Sequence, residues 1–476
     1  MFPLSSIRTR FVLLLPVLLF AIGCTLGPDY LRPSVKAQLP ESFTAPEGWK
    51  LAEPRDDEDL AAWWTRFSSS RLNELITEAE ENNQDLAAAF HRVEQARAIS
   101  DSARAAWFPG IDFNPSADRS KRSATISNSA ANLTGITTTN LSLPFVLNYE
   151  IDFWGELRRA IESANAETMA TEANLRQLKL SLQAELASQY FSLRAIDSEI
   201  EIFEETLTLR RKALDLNQKR FRAGDTDEVD VSRAETELSA TEVELIGLRQ
   251  SRSEIEHAIA VLVGRPSTDL TLPPSPLKGS PPAIASLSAP TDLLERRPDV
   301  AAAERIMMAE NARIGIAKAA FFPSVRFSAR AGLESGGTSR LFDYASRTWG
   351  LGPEVSLPIL DAGRNRAELS RAESRYNETV AIYRKTVLDA VRDVDNALVA
   401  ITRLAERTAA QERTVTSAAR TVELSRSRYD AGVVAYFEVV DAQRTELDAR
   451  RQAVRFQAAR HLAAIALVKA LGGDWK

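Results

Sequence analysis

In 476 residues there is one cysteine, Cys24, and there are only three histidines. A single thiol excludes an internal disulfide. His91, His257 and His461 lie far apart in sequence with no ligand spacing, so no metal site is expected. No nucleophile motif, phosphate-binding loop or acid pair is present. Catalysis and a cofactor are therefore not expected. Beyond residue 22 no stretch reaches the roughly 18 consecutive apolar residues that a membrane-spanning helix requires. If the mature chain crosses a bilayer, it does so through strands.

What is present begins at the N-terminus. Arg8 and Arg10 precede an apolar run, Phe11 to Ile22, too short to span a bilayer but suited to a secretory signal. It ends in Ala21-Ile22-Gly23-Cys24, which looks like a bacterial lipobox with alanine in place of the usual leucine. Cys24 is thus the expected acylation site, and Thr25, which is not aspartate, points to outer-membrane sorting. Loss of residues 1–23 removes two arginines and no acid, leaving 57 basic and 65 acidic side chains, a net charge of −8. That balance argues against a nucleic-acid partner.

Two runs, 111–117 (IDFNPSA) and 325–333 (VRFSARAGL), alternate apolar with polar, each just after an aromatic-proline step, Trp107-Phe108-Pro109 or Phe321-Phe322-Pro323. Each is followed by a second alternating run, 141–153 or 349–359, and then by Gly155 or Gly363, which opens a long helical pattern. The pattern predicts four strands, at about 111–118, 141–153, 325–334 and 349–360. Odd positions such as Ile111, Phe145, Phe327 and Trp349 are greasy, and the positions between them carry Asp112, Asn148, Glu150, Arg326 and Glu354. A lipid-facing strand and a half-buried strand of a soluble sheet both fit this alternation. Closure adds a constraint. The smallest barrels need about 8 strands, so four per chain suffice only if several chains pool them.

The rest reads as helix. No proline occurs from Ala160 to Arg222, and Leu175, Leu178, Leu182, Leu186, Tyr190, Leu193, Ile196, Ile200, Phe203 and Leu207 recur at about 3.56 residues, between the coiled-coil and straight-helix periods. Such a helix is roughly 95 Å long, so these helices must pack along their lengths. Phe221-Arg222-Ala223-Gly224-Asp225 and Tyr429-Asp430-Ala431-Gly432-Val433 are matching reversals, and their offset of 208 also carries Gly155 onto Gly363 and Ala234 onto Ala442. A tandem duplication follows. The organisation expected is a signal peptide (1–23), a lipidated N-terminal segment (24–72), a first repeat (73–264), a linker with seven prolines (265–292), a second repeat (293–471) and a short tail (472–476). The second repeat opens with LLERRPD at 293–299, where Pro298 suits the first helical turn and Asp299 the positive end of the helix dipole.

Trp63-Trp64 with Leu72, Asn83-Gln84-Asp85-Leu86, Phe321-Phe322-Pro323, the 293–299 run, Arg428-Tyr429 with Gly432, and Asp441-Ala442-Gln443-Arg444 follow one another in a familiar order. By them the chain resembles the outer-membrane efflux protein family, the trimeric channel-tunnels of multidrug pumps, in its lipidated branch. The resemblance implies a mostly helical fold with a transmembrane β-barrel: a homotrimer with 12 shared strands in the outer membrane of a Gram-negative bacterium, and a coiled helical tunnel, 12 helices wide, in the periplasm. It implies an equatorial belt built from the N-terminal segment, the linker and the C-terminus, the last contributing little because the chain stops at Lys476. The partners implied are a periplasmic adaptor, an inner-membrane pump of the RND type and outer-membrane lipid.

Within that family the DAQR motif marks a periplasmic constriction. The positions here are Phe437, Asp441 and Arg444, spaced i, i+4, i+7 on one helical face. Phe437 replaces the leucine common there. Three converging copies of Asp441 would select cations or hold arginines in a closed network; an exposed Asp441–Arg444 pair of little consequence is the plainer reading. The reversals Ala223-Gly224-Asp225 and Ala431-Gly432-Val433 are by resemblance the adaptor-docking tips, although glycine at a helix reversal is first a backbone device. Trp107, Phe108, Trp154, Phe321 and Phe322 fit the aromatic girdle of a barrel's inner rim, or simple core packing. A duct for small-molecule efflux is the function expected. A channel for protein or oligosaccharide export shares every feature, and a pore-free coiled-coil strut would have no use for charged strand faces. Four methionines, one the initiator, give no support to a methionine-based copper relay.

Overall fold

The computed structural model describes residues 25–33, 62–121, 123, 137–282 and 296–473. The signal peptide, Cys24, most of the N-terminal segment, the linker beyond 282 and the last three residues lie outside the described residues. Seven α-helices are described: α1 (Ser70–Asn82), α2 (Gln84–Ala105), α3 (Glu156–Ala223), α4 (Glu228–Leu262), α5 (Pro298–Ala319), α6 (Arg364–Asp430) and α7 (Tyr436–Ala470). The strands are β1 (Gly110–Phe113), β2 (Ser116–Lys121), β3 (Thr137–Ile151), β4 (Ser324–Ser335) and β5 (Arg347–Ser356). The fold is mostly helical with a few strands, as the sequence predicts. No helix among the described residues is long and apolar enough to cross a membrane.

The duplication is visible in element order and in backbone conformation. Gly155 and Gly363, Gly224 and Gly432, and Gly264 and Gly472 stand 208 residues apart, and all six have positive φ. One departure is at the start of the first repeat. The sequence reads as helix over 73–106 with Asn83 as a helix cap; the structure divides the helix there, Asn83 adopting extended φ and ψ (−67°, 126°) between α1 and α2. Its side chain explains the break: Asn83 Oδ1 accepts the amides of Asp85 and Leu86 at 2.9 and 3.0 Å, capping α2, while Nδ2 donates to the carbonyl of Leu262 at 2.9 Å.

Two compact units divide the chain. One contains Met1–Ser34, Val93–Thr171 and Ala303–Tyr383, and with them every strand. The strands form one antiparallel sheet. β1 and β2 both pair with β3 in a continuous register, Phe113 opposite Phe145 and Ser116 opposite Ser142, so they are one strand interrupted at Asn114-Pro115. Pro115 has no amide to give the ladder, and at a sheet edge the loss is tolerated. β4 follows on the other side of β3, with Ile151 opposite Val325, and β5 pairs with β4. The result is a four-stranded meander with, among the described residues, an open edge on each side.

The other unit contains Val35–Arg92, Glu172–Ala302 and Arg384–Lys476. Its largest core joins Trp63, Leu72, Leu75 and Ile76 to Leu186 and Leu193 of α3, Ile259 of α4 and Ile465 of α7. The Trp63 indole donates to Gln183 Oε1 at 3.1 Å, and the Trp64 ring meets it edge-on at 5.9 Å. The described part of the proline-rich segment is strapped to α3 and α4: Arg194 donates to the carbonyl of Pro273, and Asp197 and Ser198 accept the amides of Ser275 and Leu277. These polar ties replace the ladder that prolines cannot make.

Candidate functional site

Pairing keeps parity across the sheet. Phe113 faces Phe145, Phe145 faces Ala331 and Ala331 faces Trp349, so odd-numbered residues of every strand share one face. That face is uncovered: Ile111 is 67% exposed, Phe145 56%, Trp349 78%, Leu351 66% and Val355 63%. A half-buried strand in a soluble sheet would have this side shielded. Along β3 the apolar odd positions run from Leu141 to Ile151, about 33 Å along the strand or about 25 Å at a 40° tilt, which matches the apolar band of an outer-membrane barrel. The even face is polar and internally paired. Arg330 donates to Ser142 at 2.8 Å, Asn140 donates to Glu334 at 2.8 Å, and Arg326 stands 3.6 Å from Glu150.

The residues after Cys24 form a strap beside these strands. The Leu26 amide donates to the Trp154 carbonyl at 3.0 Å, and Thr25 lies so close to Gly155 that a Cβ there would stand 2.9 Å from its Cα. Arg159 pairs with Asp29, Asn311 donates to the Pro28 carbonyl, and Arg32 forms an ion pair with Glu304, to which Tyr30 also donates. Burial and the adjacent Glu304 push the Tyr30 hydroxyl pKa well above its usual range. The strap, residues 25–33, thus runs beside the junction of β3 and α3. Around that junction Trp107, Phe108, Phe321 and Phe322 are all partly exposed, and the Trp154 indole donates to the Pro323 carbonyl.

At the far ends of the long helices, both reversals close with the same hydrogen-bond pair. Gly224 donates to Phe221 and Asp225 to Arg220; Gly432 donates to Tyr429 and Val433 to Arg428. This is the Schellman arrangement, with glycine in the left-handed region at φ of 82° and 73°. A Cβ at either glycine would meet nothing within 4 Å, so both tips present bare backbone. Behind them Tyr436, Val439, Val440 and Ala234 form a small core against Tyr429, whose hydroxyl bonds Asn217 at 3.2 Å.

The three constriction positions have different surroundings. Phe437 is 52% exposed, with the Arg233 guanidinium 5.5 Å from its ring. Asp441 is exposed. Arg444 instead reaches across to α4 and ion-pairs with the buried Glu237. The same carboxylate takes Arg210 of α3 at 2.8 Å, and Arg210 also donates to Thr241 and to the Glu237 carbonyl. Burial holds the Arg210 pKa below its ordinary value, whereas its hydrogen bond to Glu237 raises that of Arg444. Sequence reasoning missed Glu237 and Arg210. Once the chain reverses at Gly224, however, residues equidistant from it face one another, which brings position 210 opposite 237–241.

In the LLERRPD run Arg297 ties both ends of the second repeat together, pairing with Asp299 at 2.6 Å and donating to the Ala470 carbonyl at 2.9 Å. Among the described residues no three His, Cys, Asp or Glu side chains converge to hold a metal ion.

Comparison with known proteins agrees with this geometry. The outer membrane efflux protein family model matches residues 75–265 and 289–473, once per repeat. The cation efflux system protein CusC of Escherichia coli O157:H7 is 31% identical over 466 residues, 97% of this chain and 98% of that one. The solvent efflux pump outer membrane protein SrpC of Pseudomonas putida is 32% identical over 468 residues, covering 96% and 97%. Among solved structures the outer-membrane channel OprN superposes with a TM-score of 0.84 at 31% identity, over 95% of this chain and 100% of that one. With two family matches covering most of the chain, the protein belongs to the outer membrane efflux protein family.

Proposed function

We propose that three copies of this chain close a single twelve-stranded barrel and act as the passive outer-membrane duct of a tripartite efflux system. The observation that carries the reading is the sheet: one uncovered apolar face, one charged face, and an open edge on each side. In lipid an open edge leaves unpaired amides and carbonyls, each costing several kcal/mol, so the sheet must find partners. Identical copies supply them, and twelve strands leave a water-filled lumen lined by the polar face.

The long helices then extend into the periplasm toward a membrane-bound pump of the RND type, which supplies the energy. A periplasmic adaptor docks at Ala223-Gly224-Asp225 and Ala431-Gly432-Val433. The two tips differ chemically, Asp225 and Asp227 against Val433 and Val434, and so offer two kinds of contact. Phe437 and Asp441 ring the threefold axis at the closed end, while Arg444 is engaged with Glu237 in its own protomer. Cys24 carries the acyl anchor.

The test is complementation of a Gram-negative strain that lacks its outer-membrane channel but retains an adaptor and pump of this class. Expression of the chain with its cognate adaptor and pump is expected to restore efflux of a fluorescent dye. Correct insertion with no dye efflux, together with restored secretion of a polypeptide or oligosaccharide, would contradict the small-molecule reading.

A further inference from the structure

The outward face of the sheet has a second chemistry at one end. Among the odd-numbered strand residues the only charged side chains are Arg119, Lys121 and Arg347, all basic and all exposed. All three lie at the hairpin end of the sheet, where β2 leads toward β3 and β4 turns into β5, opposite the end joined to the helices. The other face mixes signs along its length: Asp112, Asp118, Glu150, Arg326, Arg330, Glu334 and Glu354. Asp343 is the one acid in the β4–β5 connection. No Asp or Glu occurs between Arg119 and Tyr149, and among the described residues Arg119, Lys121 and Arg347 form no ion pair. The Arg347 guanidinium instead stacks 4.5 Å from the ring of Tyr344, which is 80% exposed. Trp349, two residues inward on the same face, is also exposed.

Cations flanked by aromatics, just past an apolar band, fit a membrane interface rich in phosphate. In a chain of net charge −6 this basic rim is a local exception. We infer that Arg119, Lys121 and Arg347, with Tyr344, form a binding surface for the phosphates of the outer-leaflet glycolipid, lipid A. The inference rests on the barrel reading, which puts the hairpin end outside. The outer leaflet is built from acylated sugars whose phosphates require bridging cations. Fixed guanidinium and ammonium groups at the top of the apolar band replace those bridges where lipid meets protein, and Tyr344 and Trp349 supply flat surfaces for sugar and acyl chain. Periplasm-facing lipids offer phosphate only at the other end of the band. There the outward positions Ile111, Ile151, Val325 and Val355 carry no charge.

The test is native mass spectrometry of the full-length trimer in mild detergent, titrated with diphosphorylated lipid A, its dephosphorylated form and phosphatidylglycerol. Wild type is expected to bind diphosphorylated lipid A at least about tenfold more tightly than the dephosphorylated form. The triple variant R119Q/K121Q/R347Q is expected to lose that preference, and R326Q on the lumen face to keep it. Equal binding of the two lipid A forms by wild type overturns the proposal without recourse to any variant. So does an unchanged preference in the triple variant, or phosphatidylglycerol binding as tightly as diphosphorylated lipid A. Absence of a trimer would instead contradict the barrel reading.

Discussion

Arg444 and Glu237 join two helix hairpins that are 207 residues apart in sequence, and the carboxylate they share with Arg210 is buried. Removing one partner from a buried ion pair costs more than the pair contributes, because an uncompensated charge is left behind. Glu237→Gln should therefore strand Arg210 and destabilise the closed end by about 2–4 kcal/mol. Arg444→Ala, which leaves Glu237 its bond to Arg210 and removes a half-exposed partner, should cost less than about 1 kcal/mol. If this clamp and the axial positions hold the end shut, Glu237→Gln and Phe437→Ala/Asp441→Ala should each raise single-channel conductance in planar bilayers. Loss of Asp441 should also weaken block by multivalent cations. Glu438→Ala, on another helical face and 3.7 Å from the exposed Arg428, is the control and should change little. Equal conductance across all variants would return these residues to ordinary packing.

Two glycines in the same backbone state should respond differently to alanine. Gly224 and Gly264 have φ of 82° and 75°, so each substitution costs about 1 kcal/mol in backbone strain. Around Gly224 there is open space, whereas a Cβ on Gly264 would stand 2.3 Å from the Asn82 carbonyl oxygen. Gly264→Ala should lower the denaturation midpoint markedly more than Gly224→Ala. Similar midpoints would show that α1 and α4 separate without penalty.

His461 is 3% exposed, its ring stacked 4.7 Å from Phe191. Burial, assisted by Arg460, keeps its pKa below the ordinary value. In the unfolded chain the imidazole takes up its proton near pH 6.5, before the folded protein does. As pH falls below about 6.5 the unfolded state therefore binds more protons and stability declines. Thermal melts between pH 7.5 and 5 should show this decline, reduced in His461→Phe. An identical slope in the variant would assign the pH dependence to other groups.

Cys24→Ser should abolish incorporation of labelled palmitate, and persistence of label would refute the acylation site. Arg32→Ala should leave labelling intact but expose the strap to protease, because Arg32 and Tyr30 meet at Glu304.

Much of this architecture is legible in local sequence, and the reason is periodicity. Alternation over 141–151 marks both faces of β3, and a 208-residue offset linking Gly155 to Gly363 marks the duplication. Reversal glycines are equally legible, since few other residues tolerate positive φ. Less legible were features that depend on three-dimensional neighbours. Asn83 reads from sequence as a helix cap, but its bond to Leu262, 179 residues away, does not, and the strand break at Pro115 shows only once β3 supplies the ladder. Asp441 and Arg444 look alike along a helix. Only the folded hairpin of α3 and α4 separates them, giving Arg444 a buried partner and leaving Asp441 exposed.

The central claim is that one chain cannot close the barrel and three can. Light scattering of the folded full-length protein in detergent, corrected for bound detergent, measures this directly. The account requires a mass three times that of the mature lipidated chain, with no stable folded monomer at any concentration. A compact, heat-resistant monomer with its strands intact would contradict it.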